Sequence, residues 1–548
     1  QIMDTESGKL WPLRDSRFIG GAVDDIALFP DGRHIALAGS DGTVRILTQD
    51  SGELLITLLA ISGSNDWLAF TPDGLFDGTP GGWDALLWRF SDELYDVAPG
   101  EAFFNEYYRP GLLAEIIAGS RPTAPRSLAA VDRRQPKVAL QVTGGSERLA
   151  KVRIDVREAP PGGGRNSGSG VKDVRLFRNG SLVKYWKGEV GAGGTALEAS
   201  VPIVAGENRF TAYAFNRDNI KSSDARATLT GADSLKRPAT AWVLAFGINR
   251  YANPAFNLSY SVADAQAFSD QLKTNQAALG LYQNINVVAV KDQEATKANL
   301  LSALRRLAGT DSGPLPKGAP KTFAELKPAQ PEDAVFIFFA GHGMADGPRF
   351  YLLPHDLGYA GGSGSIDATA KAAILRNAVS DLELEAALET LDAGRLVLTI
   401  DACNSGQALE AEERRRGPMN SKGLAQLAYE KGMYVITAAQ SHQAALEFEQ
   451  LGHGLLTYAL IKEGLGKSQA DKQPQDGRID VREWLDYAST RVPQLQLDAM
   501  QDLEKRGRKV AVVRGEETEA DPLKRSLQQP RIFYRREPER TPFVVGGK

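Results

Sequence analysis

The stretch Leu396-Val-Leu-Thr-Ile-Asp-Ala-Cys403-Asn-Ser-Gly406 decides how this chain is read. A short apolar run rich in β-branched residues, closed by a turn signal, predicts a buried strand. Cys403, the single cysteine in 548 residues, stands directly after it. A second apolar run, Val335-Phe-Ile-Phe-Phe-Ala340, leads into Gly341-His342-Gly343. If the two strands are neighbours, a thiol and an imidazole reach the same edge of one sheet. That is the minimum apparatus for a cysteine nucleophile with a histidine partner. The leading expectation is a thiol hydrolase acting on peptide bonds.

Around these runs, strands alternate with helices. Strands are predicted at 242–246, 286–290 and 433–438, and helices at 261–272, 296–307 and 454–463. Ser380 with Glu383, and Asp480 with Glu483, form capping boxes that start two more helices. Such alternation predicts an α/β fold, a mainly parallel sheet covered by helices on both faces. Ligands of such sheets bind at the carboxyl ends of the strands, where both His342 and Cys403 are expected.

The N-terminal half reads as all-β. Ser7-Gly8-Lys9-Leu10 returns as Ser51-Gly52-Glu53-Leu54, and Pro30-Asp31-Gly32 returns as Pro72-Asp73-Gly74. A spacing of about 40–45 residues with short strands and Asp-Gly turns is the mark of propeller blades. These residues resemble WD-type repeats, without the Trp-Asp dipeptide. Next come Trp83, Trp88, Tyr95, Phe103, Phe104, Tyr107 and Tyr108, a density of aromatics that predicts a packed connector. Short strands from about 135 to 232, with Asn179-Gly180 as a hairpin signal, predict an immunoglobulin-like sandwich. No chemistry is expected there.

Composition narrows the classes. The chain is 42% hydrophobic and 24% charged, with 55 Gly and a formal charge of −4. About 150 residues per domain implies roughly three or four domains. The weak negative charge gives no reason to expect nucleic-acid or membrane partners. One cysteine cannot form an internal disulfide, so a reducing, cytoplasmic setting is expected. No apolar run approaches the roughly 18 residues of a membrane span. The chain begins with Gln1 rather than Met, which leaves room for a missing true N-terminus and targeting segment.

A thiol attacks as thiolate, and its free pKa of about 8.5 leaves little thiolate at neutral pH. A nearby imidazole and a helix N-terminus lower that value. His342 would take the proton and return it to the leaving amine. Gly343 and Cys403 would supply the N–H donors for the oxyanion. Of the five histidines, only His342 is glycine-flanked at a strand end. His34, in the blade, plays no part in the expected site, and His355, His442 and His453 are expected to be structural.

At these residues the chain resembles the caspase-like cysteine peptidases, above all metacaspases and bacterial caspase-like proteins. The resemblance spans about 238–466. It rests on Ala245-Phe-Gly-Ile-Asn249-Arg-Tyr251, Asp264-Ala265, Ala295-Thr-Lys297, Phe338-Phe-Ala-Gly-His342-Gly343, Phe350-Tyr-Leu-Leu-Pro354, Asp401-Ala-Cys403-Asn-Ser-Gly406, and Leu451-Gly-His-Gly454 before Thr457-Tyr-Ala459. Animal caspases carry Gln-Ala before the cysteine; Asp-Ala here looks like the metacaspase pattern. The resemblance implies that Asp401 and Asp264 line the specificity pocket. Two carboxylates would select Arg or Lys before the cut through charge-assisted hydrogen bonds.

In such enzymes the stretch after the nucleophile is commonly an activation linker. Arg414, Arg415 and Arg416 are therefore a candidate self-cleavage site, and 311–333 is a second exposed insertion. Some metacaspases need calcium, but no segment here resembles a calcium loop, and no Cys/His cluster has zinc spacing. No metal or cofactor is expected. The implied division is a propeller-blade-like segment (1–74), an aromatic-rich connector (75–125), an immunoglobulin-like sandwich (126–235), a caspase-like peptidase domain (238–515) and a C-terminal tail (516–548). Protein or peptide substrates are expected, with regulatory protein partners on the β-domains. The alternative is a non-enzymatic scaffold that uses the same fold for binding. A redox-sensing thiol would lack a resolving cysteine.

Overall fold

The computed structural model describes the chain except residues 1, 4–9, 12–21, 91–96, 192, 347–348, 363–365, 405–421, 439–446, 449–450, 506–526, 538, 540 and 548. A mostly β N-terminal region precedes a mixed α/β region. In the first part, β1 (Val23–Leu28), β2 (His34–Gly39), β3 (Thr43–Thr48), β4 (Leu54–Ala60), β5 (Trp67–Phe70) and β6 (Phe76–Gly78) form one antiparallel sheet in sequence order. The connector after β6 buries Trp83, Phe103, Phe104, Tyr107 and Tyr108. Their core is continuous with that of the α/β region.

The second part holds β7 (Lys137–Thr143), β8 (Leu149–Arg157), β9 (Lys172–Arg178), β10 (Ser181–Glu189), β11 (Thr195–Pro202), β12 (Gly206–Phe215) and β13 (Ala225–Gly231). They make two sheets, β7-β8-β11 and β10-β9-β12-β13. The alternating inward residues of β8, Val152, Ile154 and Val156, meet Val174, Leu176 and Phe210 in one core. Asn179 and Gly180 turn the chain between β9 and β10 at φ 50° and 76°, the positive dihedrals that an Asn-Gly hairpin tolerates.

The α/β region is built on a sheet in the order β15-β14-β16-β18-β19-β20. Its strands are β14 (Thr240–Gly247), β15 (Asn284–Lys291), β16 (Ala334–Asp346), β18 (Arg395–Asn404), β19 (Tyr434–Thr437) and β20 (Arg531–Phe533). All neighbours are parallel except β20, which runs antiparallel to β19. A further strand, β17 (Arg349–Leu353), folds back antiparallel on the end of β16.

Alternation along β14 sorts the two cores. Trp242, Leu244 and Phe246 face α2 (Lys297–Leu307), α3 (Asp381–Leu388) and α4 (Lys422–Lys431). Ala241, Val243 and Ala245 face α1 (Ser261–Leu279) and α5 (Val481–Lys505). A sheet apolar on both faces must be covered on both.

Four elements depart from the sequence reading. The strand expected to stop at Ala340 continues through Gly341-His342-Gly343 to Asp346, because residues 342–346 find antiparallel partners in β17. Likewise Cys403 lies inside β18 rather than after it. The helix expected at 261–272 runs on to Leu279, where Gly280 caps it at φ 62°, the left-handed position that glycine favours. The segment expected as an α-helix at 454–463 holds one α-turn and then a π-helix, Tyr458–Leu465. The wider turn carries the Ala459 carbonyl to 2.9 Å from where a Cβ on Gly464 would stand, a contact that only glycine allows.

Buried ion pairs tie the parts together. The Arg536 guanidinium pairs with Glu101 of the connector at 2.6 Å and with Asp224 of the second part. Lys221 bridges the same two carboxylates at 3.2 and 2.8 Å. Tyr429 of α4 donates to Glu101 and stacks on Phe104 at 4.2 Å. Nearby, Arg178 holds Asp392 at 2.7 Å, Arg175 holds Glu430 at 2.7 Å, and the Lys431 ammonium donates to the Leu182 carbonyl. Burial works against ionisation of Glu101, but Lys221 and Arg536 outweigh it and hold its carboxyl well below the usual range.

Arg536→Ala leaves two buried carboxylates short of a cation and is expected to cost about 3–5 kcal/mol, read as a lowered denaturation midpoint. A depressed carboxyl stabilises the fold above its unfolded pKa and loses that contribution as pH falls towards the folded value. The wild-type midpoint is therefore expected to fall steeply below about pH 4.5, and that of Arg536→Ala less steeply.

Candidate active site

The loop after β14 is built by short polar side chains. Asp292 accepts the N–H groups of Asn249 and Arg250 at 2.9 and 2.8 Å. Asn249 accepts from the Val262 N–H in the first turn of α1, and Asn257 accepts from the Tyr251 N–H. The loop thereby brings Tyr251 and Phe256 over His342. The His342 N–H donates to Tyr251 Oη at 2.7 Å, and His342 Nε2 donates to the Phe256 carbonyl at 2.8 Å. Both rings pack on the imidazole, with centroids at 5.1 and 5.9 Å. Gly341 makes this possible, since a Cβ there would lie 2.8 Å from Tyr251 Oη.

The imidazole is buried and held by its Nε2 hydrogen, so the neutral ring carries its basic lone pair on Nδ1. Across the β16–β18 ladder, His342 is the register partner of Cys403, and Gly343 that of Asn404. Neighbouring strands lie about 4.8 Å apart, so the two backbone positions are adjacent. The Cys403 side chain lies outside the described atoms. Gly343 is also paired with Leu352 of β17.

One turn of strand earlier, Asp401 is buried and accepts from Thr457 Oγ1 at 2.5 Å and the Thr457 N–H at 3.2 Å. Asp264, in the first turn of α1, is 2% exposed. Its Oδ1 meets His453 Nδ1 at 2.8 Å, and the Gly454 N–H reaches both oxygens at 3.3 and 3.2 Å. A Cβ on Gly454 would stand 2.8 Å from Asp401 Oδ2 and 3.3 Å from Asp264 Oδ2. The two carboxylates thus converge on one glycine. Burial raises the Asp264 carboxyl above its ordinary value, and the His453 hydrogen bond and the Gly454 N–H only partly offset this.

The structure therefore brings Asp401 and Asp264 together, and His342 beside the Cys403 backbone. Arg414, Arg415, Arg416 and His442 lie outside the described residues. His34 and His355 serve turns: His34 Nδ1 meets Asp31 Oδ2 at 2.6 Å, and His355 Nδ1 donates to the Arg250 carbonyl at 2.7 Å. Sequence reasoning expected His453 to be structural, quoted Tyr251 and Thr457 without giving them a role, and did not name Phe256. The signal for His453 was present in its flanking glycines, the feature that singles out His342. No group of three His, Cys, Asp or Glu that could hold a metal occurs among the described residues. Nor is any described helix long and apolar enough to cross a membrane.

Residues 317–510 match the family model described as the caspase domain, Peptidase C14. A caspase-family domain is present in this part of the chain. Its span includes His342, Asp401, Cys403 and His453, whereas Asp264 and β14 precede it. No curated protein matches the chain. Among solved structures, fibronectin(III)-like modules of Clostridium thermocellum CbhA are 12% identical over 18% of this chain and 96% of their own, with a TM-score of 0.13. A polysaccharide deacetylase from Bacillus cereus is 11% identical over 54% and 78%, also at 0.13. Overlaps of that quality carry no argument for the caspase-family domain or its neighbours.

Tyr251→Phe removes the acceptor that the buried His342 N–H uses. Leaving that donor unsatisfied is expected to cost about 1–3 kcal/mol, measured by urea denaturation beside the wild-type chain.

Proposed function

We propose that this chain is a cysteine endopeptidase that cuts after Arg or Lys. The observation that carries the reading is the register pairing of His342 with Cys403, on a histidine whose Nε2 is committed to the Phe256 carbonyl. His342 Nδ1 would withdraw the thiol proton. The Cys403 thiolate then attacks the scissile carbonyl, and the N–H groups of Gly343 and Cys403 stabilise the oxyanion. The C–N bond breaks as the imidazolium gives its proton to the leaving amine. Water, activated by the same imidazole, attacks the thioester and frees the acid and the thiol.

The convergence of Asp401 and Asp264 supports a basic residue before the cut. A buried carboxylate pair gives charge-assisted hydrogen bonds to a guanidinium or an ammonium. Arg414, Arg415 and Arg416 supply the preferred residue on the chain itself, which supports self-processing. We read the peptidase domain as 238–515. The first sheet is then a propeller-blade-like unit and the second an immunoglobulin-like sandwich that receive regulatory protein partners. The lone cysteine fits a cytoplasmic setting.

A peptide-library digest with wild type and Cys403→Ala tests the activity. Cleavage confined to bonds after Arg and Lys, and lost in Cys403→Ala, is the expected result; equal cleavage by both proteins refutes it. Asp401→Asn should lower kcat/KM for Arg substrates about 10–100-fold, the 1.5–3 kcal/mol of a hydrogen bond to a charged group. Incubation of the purified chain should yield fragments of about 415 and 133 residues. Their persistence in Cys403→Ala would rule out self-cleavage.

A further inference from the structure

His453 is the residue at the pocket that the reaction leaves unexplained. It follows Gly452, precedes the glycine on which both carboxylates converge, and points its Nδ1 at Asp264. Its side chain is 14% exposed, against 3% for that of Asp264. The imidazole is therefore the more exposed partner of the pair.

Electrostatics gives that position a purpose. Two carboxylates, Asp264 and Asp401, are buried within reach of one missing Cβ. Like charges so close, and out of water, are unfavourable unless a cation is near. Around Asp264 the described groups able to carry positive charge include His453 at 2.8 Å and, at longer range, Lys462 on the π-helix. Asp401 is met by the neutral Thr457. On the other side, Glu447 and Phe448 pair through their backbones with Gly454 and His453. Histidine alone among these groups ordinarily changes charge between pH 5 and 8.

We propose that His453 is a specificity-determining residue of the pocket: protonated, it is the built-in counter-ion of Asp264, and a substrate guanidinium or ammonium displaces it. On binding, the cation of the ligand takes over the Asp264 carboxylate, and His453 gives its proton to solvent. The pocket then keeps one positive charge whether empty or filled. Two consequences follow. Basic ligands bind more weakly as pH falls, because a charged His453 competes with them. Neutral side chains cannot replace His453⁺ without stranding Asp264, which excludes them. The inference rests on the pocket assigned above and would hold even in a chain that binds without cutting.

The test uses the full chain labelled with ¹³C at its histidine rings, and argininamide as the probe. The His453 resonance is assigned as the one missing from His453→Gln. Saturating argininamide is expected to shift the titration of His453 to lower pH by about one unit, a tenfold change in proton affinity. The apparent Kd for argininamide should rise roughly fivefold from pH 8 to pH 5.5, the range in which histidines in general change charge. In peptide assays the same pH change should appear in KM more than in kcat.

A His453 titration unmoved by saturating argininamide overturns the proposal, and so does failure of argininamide to bind at any pH. A purely structural His453 would give the first of these results. Argininamide binding with the expected His453 shift, but no peptide cleaved by the wild type, would remove the peptidase reading and leave the counter-ion intact.

Discussion

The parallel ladder between β16 and β18 is the constraint on which the site depends. Ten paired positions run from Ala334 with Arg395 to Gly343 with Asn404. Side chains alternate across a strand, so a slip of one residue would send every one of them to the opposite face. Here the register is pinned by burial on both sides. Val335, Ile337 and Phe339 belong to one core, and Ala334, Phe336, Phe338 and Ala340 to the other. Neither set can be exchanged with the other without loss of packing. The pairing of His342 with Cys403 therefore follows from hydrophobic sorting along the same two strands.

Around that ladder, backbone groups share in placing the polar side chains. The imidazole is oriented by the Phe256 carbonyl and capped by Tyr251. Asp401 is held by Thr457, and Asp264 by the Gly454 N–H together with His453. A carbonyl partner orients a histidine without adding the charge that a carboxylate would bring. The two carboxylates Asp401 and Asp264 instead converge on Gly454.

The N-terminal parts are bound into the same body. Glu101, Asp224, Lys221, Arg536 and Tyr429 form one buried network drawn from the connector, the second β unit, the C-terminal stretch and α4. Such pairs give less net stability than apolar packing would, because desolvation offsets their attraction. They do make separation costly, since any single loss strands a charge. Helix α4, which these contacts hold, is the first described element after Cys403 and Asn404.

How much was legible follows from the range of the forces involved. The strands of the sheet, the capping box at Ser380 and the Asn179-Gly180 turn are all written in local sequence. Each is set by interactions among near neighbours or by a simple apolar period. The extension of β16 past Ala340 was hidden, because its partner in β17 becomes available only when the chain folds back. The same holds for Phe256, whose contribution is a backbone carbonyl and leaves no mark on residue type. His453 meets Asp264 across 189 positions. By itself the sequence determined which residues fall on strands and helices and where the candidate side chains stand along them, through their types and their local apolar pattern. The tertiary structure alone decided which of them meet, because contacts between distant segments depend on how two faces of one sheet are buried.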